Sequence, residues 1–131
     1  MGRIAAYDAD TGDEQWSYAA ADDIGEPGSD RVFEQPYVVD VVATGDHRFA
    51  AARRYERDGD ERHWHSAVYA FDCDGTVDWR YAVDASPIAL AVDDAGDRLA
   101  VGYNRCMNSH DHGLVVLDTA SGEPAWMWDP G

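Results

Sequence analysis

A short pattern that occurs three times constrains this chain more than any other feature. Each copy has an apolar run, an Asp, a turn that contains Gly, and then a Trp followed by a second aromatic residue. The copies span residues 4–18, 68–81 and 114–128. Two β-rich runs joined by a short Asp/Gly turn are typical of a β-hairpin. The sequence therefore predicts three equivalent hairpins, each with a Trp on its return strand.

The spacing of the copies indicates what lies between them. Phe71 and Leu117 hold equivalent positions 46 residues apart, whereas Tyr7 and Phe71 are 64 residues apart. A recurring period of this size with several strands per period is typical of propeller blades, solenoids or repeat arrays. A polar, turn-rich connection over residues 19–36 accounts for the longer first interval. A charged loop is predicted over residues 56–62, and the strand that follows it begins at His63.

The repeated pattern resembles the tryptophan-docking repeat of the quinoprotein-type (PQQ-like) β-propellers. In that family the motif closes each blade, and its Trp lies between adjacent blades. The recurrence of the three Asp residues at equivalent turn positions argues for a structural role rather than a catalytic carboxylate set. The docking residues that the resemblance implies are Asp8, Gly12 and Trp16; Asp72, Gly75 and Trp79, in a turn one residue shorter; and Asp118, Gly122 and Trp126.

The predicted fold is all-β, a partial β-propeller of about two and a half antiparallel four-stranded blades in one domain over residues 1–131. Residues 4–18 are the C-terminal hairpin of a blade, residues 37–83 form a blade, and residues 87–128 form the next. Propellers typically close with 4–8 blades. The chain is therefore expected to be part of a larger propeller, to complete a ring with other chains, or to stand as an open stack of sheets. We favour a partial propeller.

The charge of the chain is strongly negative. The net charge is −16, all ten basic residues are Arg, and twenty of the acidic residues are Asp. This haloarchaeal-type composition indicates adaptation to concentrated salt, in which a Debye length of about 3 Å or less screens self-repulsion. The alternative is an acidic protein that binds cations or basic partners. Nucleic acid is disfavoured as a partner, because phosphate contacts need clustered Arg or Lys.

The apolar runs of the chain are short. Its first residues lack the apolar region of a signal peptide, and no run approaches the length of a membrane span. We therefore expect a cytoplasmic location and no membrane contact.

Two histidine motifs form the candidate metal site. His63 and His65 lead into a strand of one blade, and His110 and His112 lead into the corresponding strand of the next. Residues i and i+2 of a strand point to the same side, and Cys106 lies in the second loop. Zinc or copper accepts His and Cys ligands. Solvated loop histidines are the alternative, and the spacing matches no zinc signature.

The resemblance favours a non-catalytic role. In the enzymatic quinoproteins the cofactor lies at the axis of a complete ring and is often flanked by adjacent cysteines. This chain has too few blades and no adjacent cysteines, so PQQ is not expected. We expect a protein-binding scaffold, with a protein partner or self-association, or a fragment of a larger propeller. The alternative is a metal-binding protein or a quinoprotein-like oxidoreductase remnant that uses the histidine-bearing loops.

Overall fold

The computed structural model describes residues 2–24, 36–59, 61–104 and 113–128. Within these ranges the chain forms ten β-strands and one short helix. Their bounds are β1 Arg3–Tyr7, β2 Glu14–Ala19, α1 Ala21–Ile24, β3 Tyr37–Ala43, β4 Arg48–Asp58, β5 Glu61–Phe71, β6 Val77–Tyr81, β7 Ser86–Val92, β8 Arg98–Asn104, β9 Leu114–Asp118 and β10 Pro124–Trp128.

The strands form three antiparallel sheets in which neighbours in sequence are neighbours in space. The first sheet is the β1–β2 hairpin, the middle sheet has the order β3-β4-β5-β6, and the last sheet has the order β7-β8-β9-β10. A four-stranded meander of this kind is the unit of a β-propeller. The predicted fold class, a partial propeller of antiparallel four-stranded blades, is confirmed.

The three repeat turns share one local structure. In each, the Asp carboxylate accepts backbone N–H bonds from two residues that follow it, at 2.8–3.2 Å. The Gly of each turn has a φ angle of 77°, 86° or 74° at Gly12, Gly75 and Gly122 respectively. Side-chain-bearing residues adopt such angles at a cost, whereas Gly does so freely. The Asp and the Gly are therefore required by the turn itself.

The Trp of one repeat packs on the turn of the next sheet. A Cβ atom added to Gly75 would lie 2.5 Å from the ring of Trp16, and one added to Gly122 would lie 2.5 Å from the ring of Trp79. The indole Nε1 of Trp79 also donates a hydrogen bond of 2.8 Å to the carbonyl oxygen of Thr119. Each indole thus lies directly against turn backbone that only Gly leaves open.

Two apolar cores lie between the sheets. The core between the first and middle sheets contains ring pairs such as Trp16 with Phe71, whose centroids are 5.0 Å apart, and Tyr18 with Tyr69, at 5.2 Å. The core between the middle and last sheets is lined mainly by aliphatic residues. Its buried members are Phe49, Ala51, Val68, Ala70, Trp79, Ala85, Leu90, Leu99, Val101, Tyr103, Val115 and Leu117. The middle sheet is therefore covered on both faces.

The predicted charged loop over residues 56–62 is wrong, because strands β4 and β5 extend into a long hairpin through most of it. Tyr55 pairs with Trp64 across the two strands, and their rings lie 5.1 Å apart. Gly59, with a φ of 62°, lies in the turn. Cross-strand aromatic contacts stabilise paired strands, and polar side chains on an extended hairpin remain in contact with water.

A short helix, which the sequence did not predict, lies in the polar, turn-rich connection expected over residues 19–36. Helix α1 follows β2, and the backbone N–H groups of Asp23 and Ile24 both donate to the carbonyl oxygen of Ala20. Ile24 is buried in the core between the first and middle sheets, and this burial holds the helix in place. No helix in the described residues has the length and apolar character that a membrane crossing requires.

The indole-on-glycine contact predicts a large effect of adding one methyl group. Gly122→Ala should lower the free energy of unfolding by about 1–3 kcal/mol more than Gly59→Ala, because only the methyl group added at position 122 collides with an indole. Gly59 is the matched control: it also has a positive φ, and among the described residues no atom lies within 4 Å of its added Cβ. Urea unfolding of both variants measures the difference. Equal losses would show that the indole does not require Gly.

Candidate functional site

The structure places His63 and His65 inside β5, on one side of the strand. Their ring centroids are 6.5 Å apart. Each ring is hydrogen-bonded to a carboxylate, His63 Nδ1 to Asp84 at 3.0 Å and His65 Nε2 to Glu56 at 2.6 Å. The two histidines therefore face the same region, but each has a nitrogen already bonded to an acidic side chain.

The histidines line a cleft of about 350 Å³ beside α1, together with Asp23, Arg80 and Asp84. Burial raises the pKa of the Asp84 carboxyl, but hydrogen bonds from His63 and the backbone N–H of Trp64 outweigh it and hold that pKa below its usual value. Arg80 and Asp23 form an ion pair of 2.8 Å across the cleft. The charged groups of the cleft are thus paired with one another.

The predicted metal site stays a prediction. Cys106, His110 and His112 lie outside the described residues. Among the residues that the structure does describe, no group of three or more His, Cys, Asp or Glu side chains could hold a metal ion. The other half of the predicted site, His63 and His65, offers two imidazoles on one side of a strand.

The docking residues of the third repeat differ from those of the first two. Trp16 and Trp79 lie against the glycines of the following sheets, whereas 52% of Trp126 is exposed. In the first repeat the glycine has no indole: no described atom lies within 4 Å of a Cβ added to Gly12. The structure therefore brings together two of the three Trp residues with two of the three Gly residues.

The strand registers show what surrounds Trp126. In the middle sheet, one row across the face that meets the last sheet runs Trp79, Ala70, Phe49 and Val42, and the next begins Tyr81, Val68 and Ala51. The same two rows in the last sheet form its outer face. They are Trp126, Val116, Ala100 and Ala91, and Trp128, Leu114, Gly102 and Ala89.

The two central rows of the outer face of the last sheet are apolar and accessible, and the Arg98–Asp118 ion pair lies beside them on the same face. Exposure reaches 52% at Trp126 and 53% at Trp128, and all five residues of β10 are exposed. Within the described ranges no element covers this face as the last sheet covers the middle one. Trp126 was expected to be a docking residue, whereas no site was expected at Trp128, Leu114 or Val116. Residues 114–117 and 124–128 are apolar without interruption; because successive residues of a strand point to opposite faces, both faces of β9 and β10 are apolar, and this was the signal that could have found them.

A family model described as outer membrane protein assembly factor BamB, built on PQQ-type repeats, matches residues 1–129 of the chain. The chain belongs to this family. The predicted membership of the PQQ-like repeat family is thereby confirmed, and a propeller-type domain follows from it. No curated protein and no solved structure matches the chain.

The bonds of Asp84 predict a pH-dependent contribution to stability. Its folded pKa lies below the ordinary value of 3.8, so the ionised carboxylate stabilises the fold above about pH 3.8, and this is lost as pH falls through the folded pKa. Asp84→Asn should lower the free energy of unfolding by roughly 0.5–1 kcal/mol at pH 7 and by less at pH 2, where part of the carboxylate is protonated. Urea unfolding at both values measures this.

The matched control is Asp94→Asn, which removes a carboxylate from an exposed turn. It should leave stability nearly unchanged at both pH values. A loss for Asp84→Asn that is the same at pH 7 and pH 2 would contradict a role for the ionised carboxylate.

Proposed function

We propose that the chain is a non-catalytic propeller-repeat module that binds another polypeptide through the outer face of the last sheet. One observation carries the proposal. The rows led by Trp126 and Trp128 repeat, in register, the rows that the middle sheet buries against the last sheet. A face with the pattern of a sheet-to-sheet interface, but with its large side chains exposed, is suited to receive another apolar surface.

The size and shape of the exposed groups favour a polypeptide partner over a small molecule. The outer face is an open sheet with two large indoles at one end and small residues at the other, Ala91 and Ala89. Small-molecule sites are concave and enclose most of their ligand, whereas Trp residues exposed on a broad surface are typical anchors of protein interfaces.

The charge of the chain determines the conditions for binding. With a net charge of −16, the chain repels acidic partners over long distances in dilute buffer. At molar salt the Debye length falls to about 3 Å, so that repulsion is screened while burial of apolar surface remains favourable. Binding should therefore strengthen as salt rises, the opposite of an interface held by surface ion pairs.

The experiment uses the purified chain as bait in extract of its source cells at molar salt. Partners captured by the wild-type chain are identified, purified, and titrated against it directly. Trp126→Ser/Trp128→Ser should weaken this binding by at least about tenfold, because exposed interface Trp residues are typical hot spots. Tyr37→Ser is the matched control, since Tyr37 is also 52% exposed but lies on β3.

Binding that the double substitution leaves unchanged would contradict the use of this face. Loss of binding in the Tyr37→Ser control as well would assign the interface elsewhere. Binding that weakens steadily with added salt would contradict an apolar mechanism.

A further inference from the structure

The contact between a Trp ring and a Gly turn is incomplete at each end of the described fold. At the last sheet the exposed side of the contact is Trp126, which corresponds to Trp16 and Trp79. At the first sheet it is the turn that contains Gly12, together with a second feature: Tyr7, 59% exposed. The counterparts of Tyr7 in the other repeats, Phe71 and Leu117, have no exposure.

The interface between the first and middle sheets shows how these two sides fit. Trp16 packs both on Gly75 and on Phe71, the residue that precedes the turn, at a centroid distance of 5.0 Å. Phe71 is equivalent to Tyr7, and Gly75 is equivalent to Gly12. An incoming Trp would therefore find at the first sheet the same combination that Trp16 finds at the middle sheet, an aromatic ring beside an open Gly.

We propose that two copies of this chain associate head to tail, with Trp126 of each copy seated on the Gly12 turn of the other. This inference rests on the proposed function, because it names a second copy as the polypeptide that covers the outer face of the last sheet. The aromatic ring of Tyr7 would contact the seated indole as Phe71 contacts Trp16. The indole Nε1 would donate to the carbonyl oxygen of Ala9, the equivalent of Thr119.

The number of sheets is sufficient for two copies to close a ring. Each chain supplies two four-stranded sheets and one two-stranded hairpin, so two chains supply four complete blades and two hairpins, within the usual range of 4–8 blades for a closed propeller. A head-to-tail contact forms a ring when its rotation closes and an open filament when it does not, so closure at two copies gives a particle of defined mass.

Charge near the seat does not prevent this contact in concentrated salt. The Gly12 turn carries Asp8, Asp10 and Asp13, and the strand that bears Trp126 follows Glu123. The Gly75 turn, which already holds Trp16, is also acidic, with Asp72 and Asp74. Dissociation at low salt is therefore expected, since screening of these carboxylates is then weakest.

The first experiment measures molar mass by light scattering in about 3 M salt, over chain concentrations from about 1 μM to about 1 mM. The wild-type chain should approach twice its mass of 14.4 kDa. Trp126→Ser should raise the dissociation constant of the dimer by at least about tenfold, whereas Tyr37→Ser should leave it nearly unchanged. A wild-type monomer over the whole range, or continued growth into filaments, would overturn the proposed pair.

The second experiment tests the direction of the contact. Gly12→Val places a side chain where the indole would sit, and Gly59→Val introduces the same positive-φ strain at a turn outside the interface. Gly12→Val should be monomeric at concentrations where Gly59→Val is a dimer. Circular dichroism of both variants confirms that the sheets have formed, so that misfolding is not mistaken for dissociation.

Mixing the two interface variants gives the decisive result. Trp126→Ser retains an intact Gly12 turn, and Gly12→Val retains an intact Trp126. Each variant alone should be monomeric, whereas an equimolar mixture should form a heterodimer through the one remaining contact. A mixture that stays monomeric would overturn the head-to-tail arrangement, because in that arrangement the Gly12→Val chain still offers Trp126 to the intact Gly12 turn of the Trp126→Ser chain.

The two proposals fail separately. If the chain is monomeric but a purified partner still binds in a manner that depends on Trp126 and Trp128, the second copy is wrong and the protein-binding face stands. If neither a second copy nor a partner depends on these residues, both proposals are wrong.

Discussion

The contact between an indole and a glycine turn is the interaction on which the sheet stack depends. Trp16 and Trp79 each lie against the backbone of the next sheet, at a point where a single Cβ atom would stand 2.5 Å from the ring. Gly is needed there for two reasons: the turn has a positive φ at this residue, and the indole ring occupies the space that a Cβ atom would need. The Asp carboxylate that holds the turn completes the requirement, so an Asp, a Gly and a Trp must occur together around each turn, with the Trp four residues after the Gly.

This contact also explains the asymmetry of the molecule. The middle sheet receives an indole on one side and supplies one on the other, so the central residues of β4 and β5, 49–52 and 67–71, are buried on both faces. The first and last sheets each take part in one such contact, which leaves the Gly12 turn open and Trp126 exposed. Because the same residues occupy these positions in all three repeats, the exposed surfaces are half-interfaces of known geometry. The functional proposals for this family member follow from that geometry rather than from any catalytic group.

Prediction from the sequence succeeded where local chemistry decides the structure. Each of the three repeats forms the predicted hairpin, in β1–β2, β5–β6 and β9–β10, because apolar runs on either side of an Asp/Gly turn specify where the two strands end. It failed over residues 56–62, where charge suggested a loop. There the pairing of Tyr55 with Trp64, brought together by the partner strand, extends the hairpin. The carboxylate partners of His63 and His65 could not be predicted from the sequence either, because Asp84 and Glu56 come next to these histidines only when the chain folds.

By itself the sequence determined the repeat, the turn residues, the all-β class and the large negative charge, since each depends on residue type and on spacing along the chain. Only the tertiary structure decided which repeats are satisfied. All three copies carry the same Trp and Gly, and nothing local distinguishes Trp126 from Trp79. Burial is a property of what packs against a side chain, and that depends on whether another sheet lies beside it. The exposed face at one end and the open glycine at the other were therefore visible only in three dimensions.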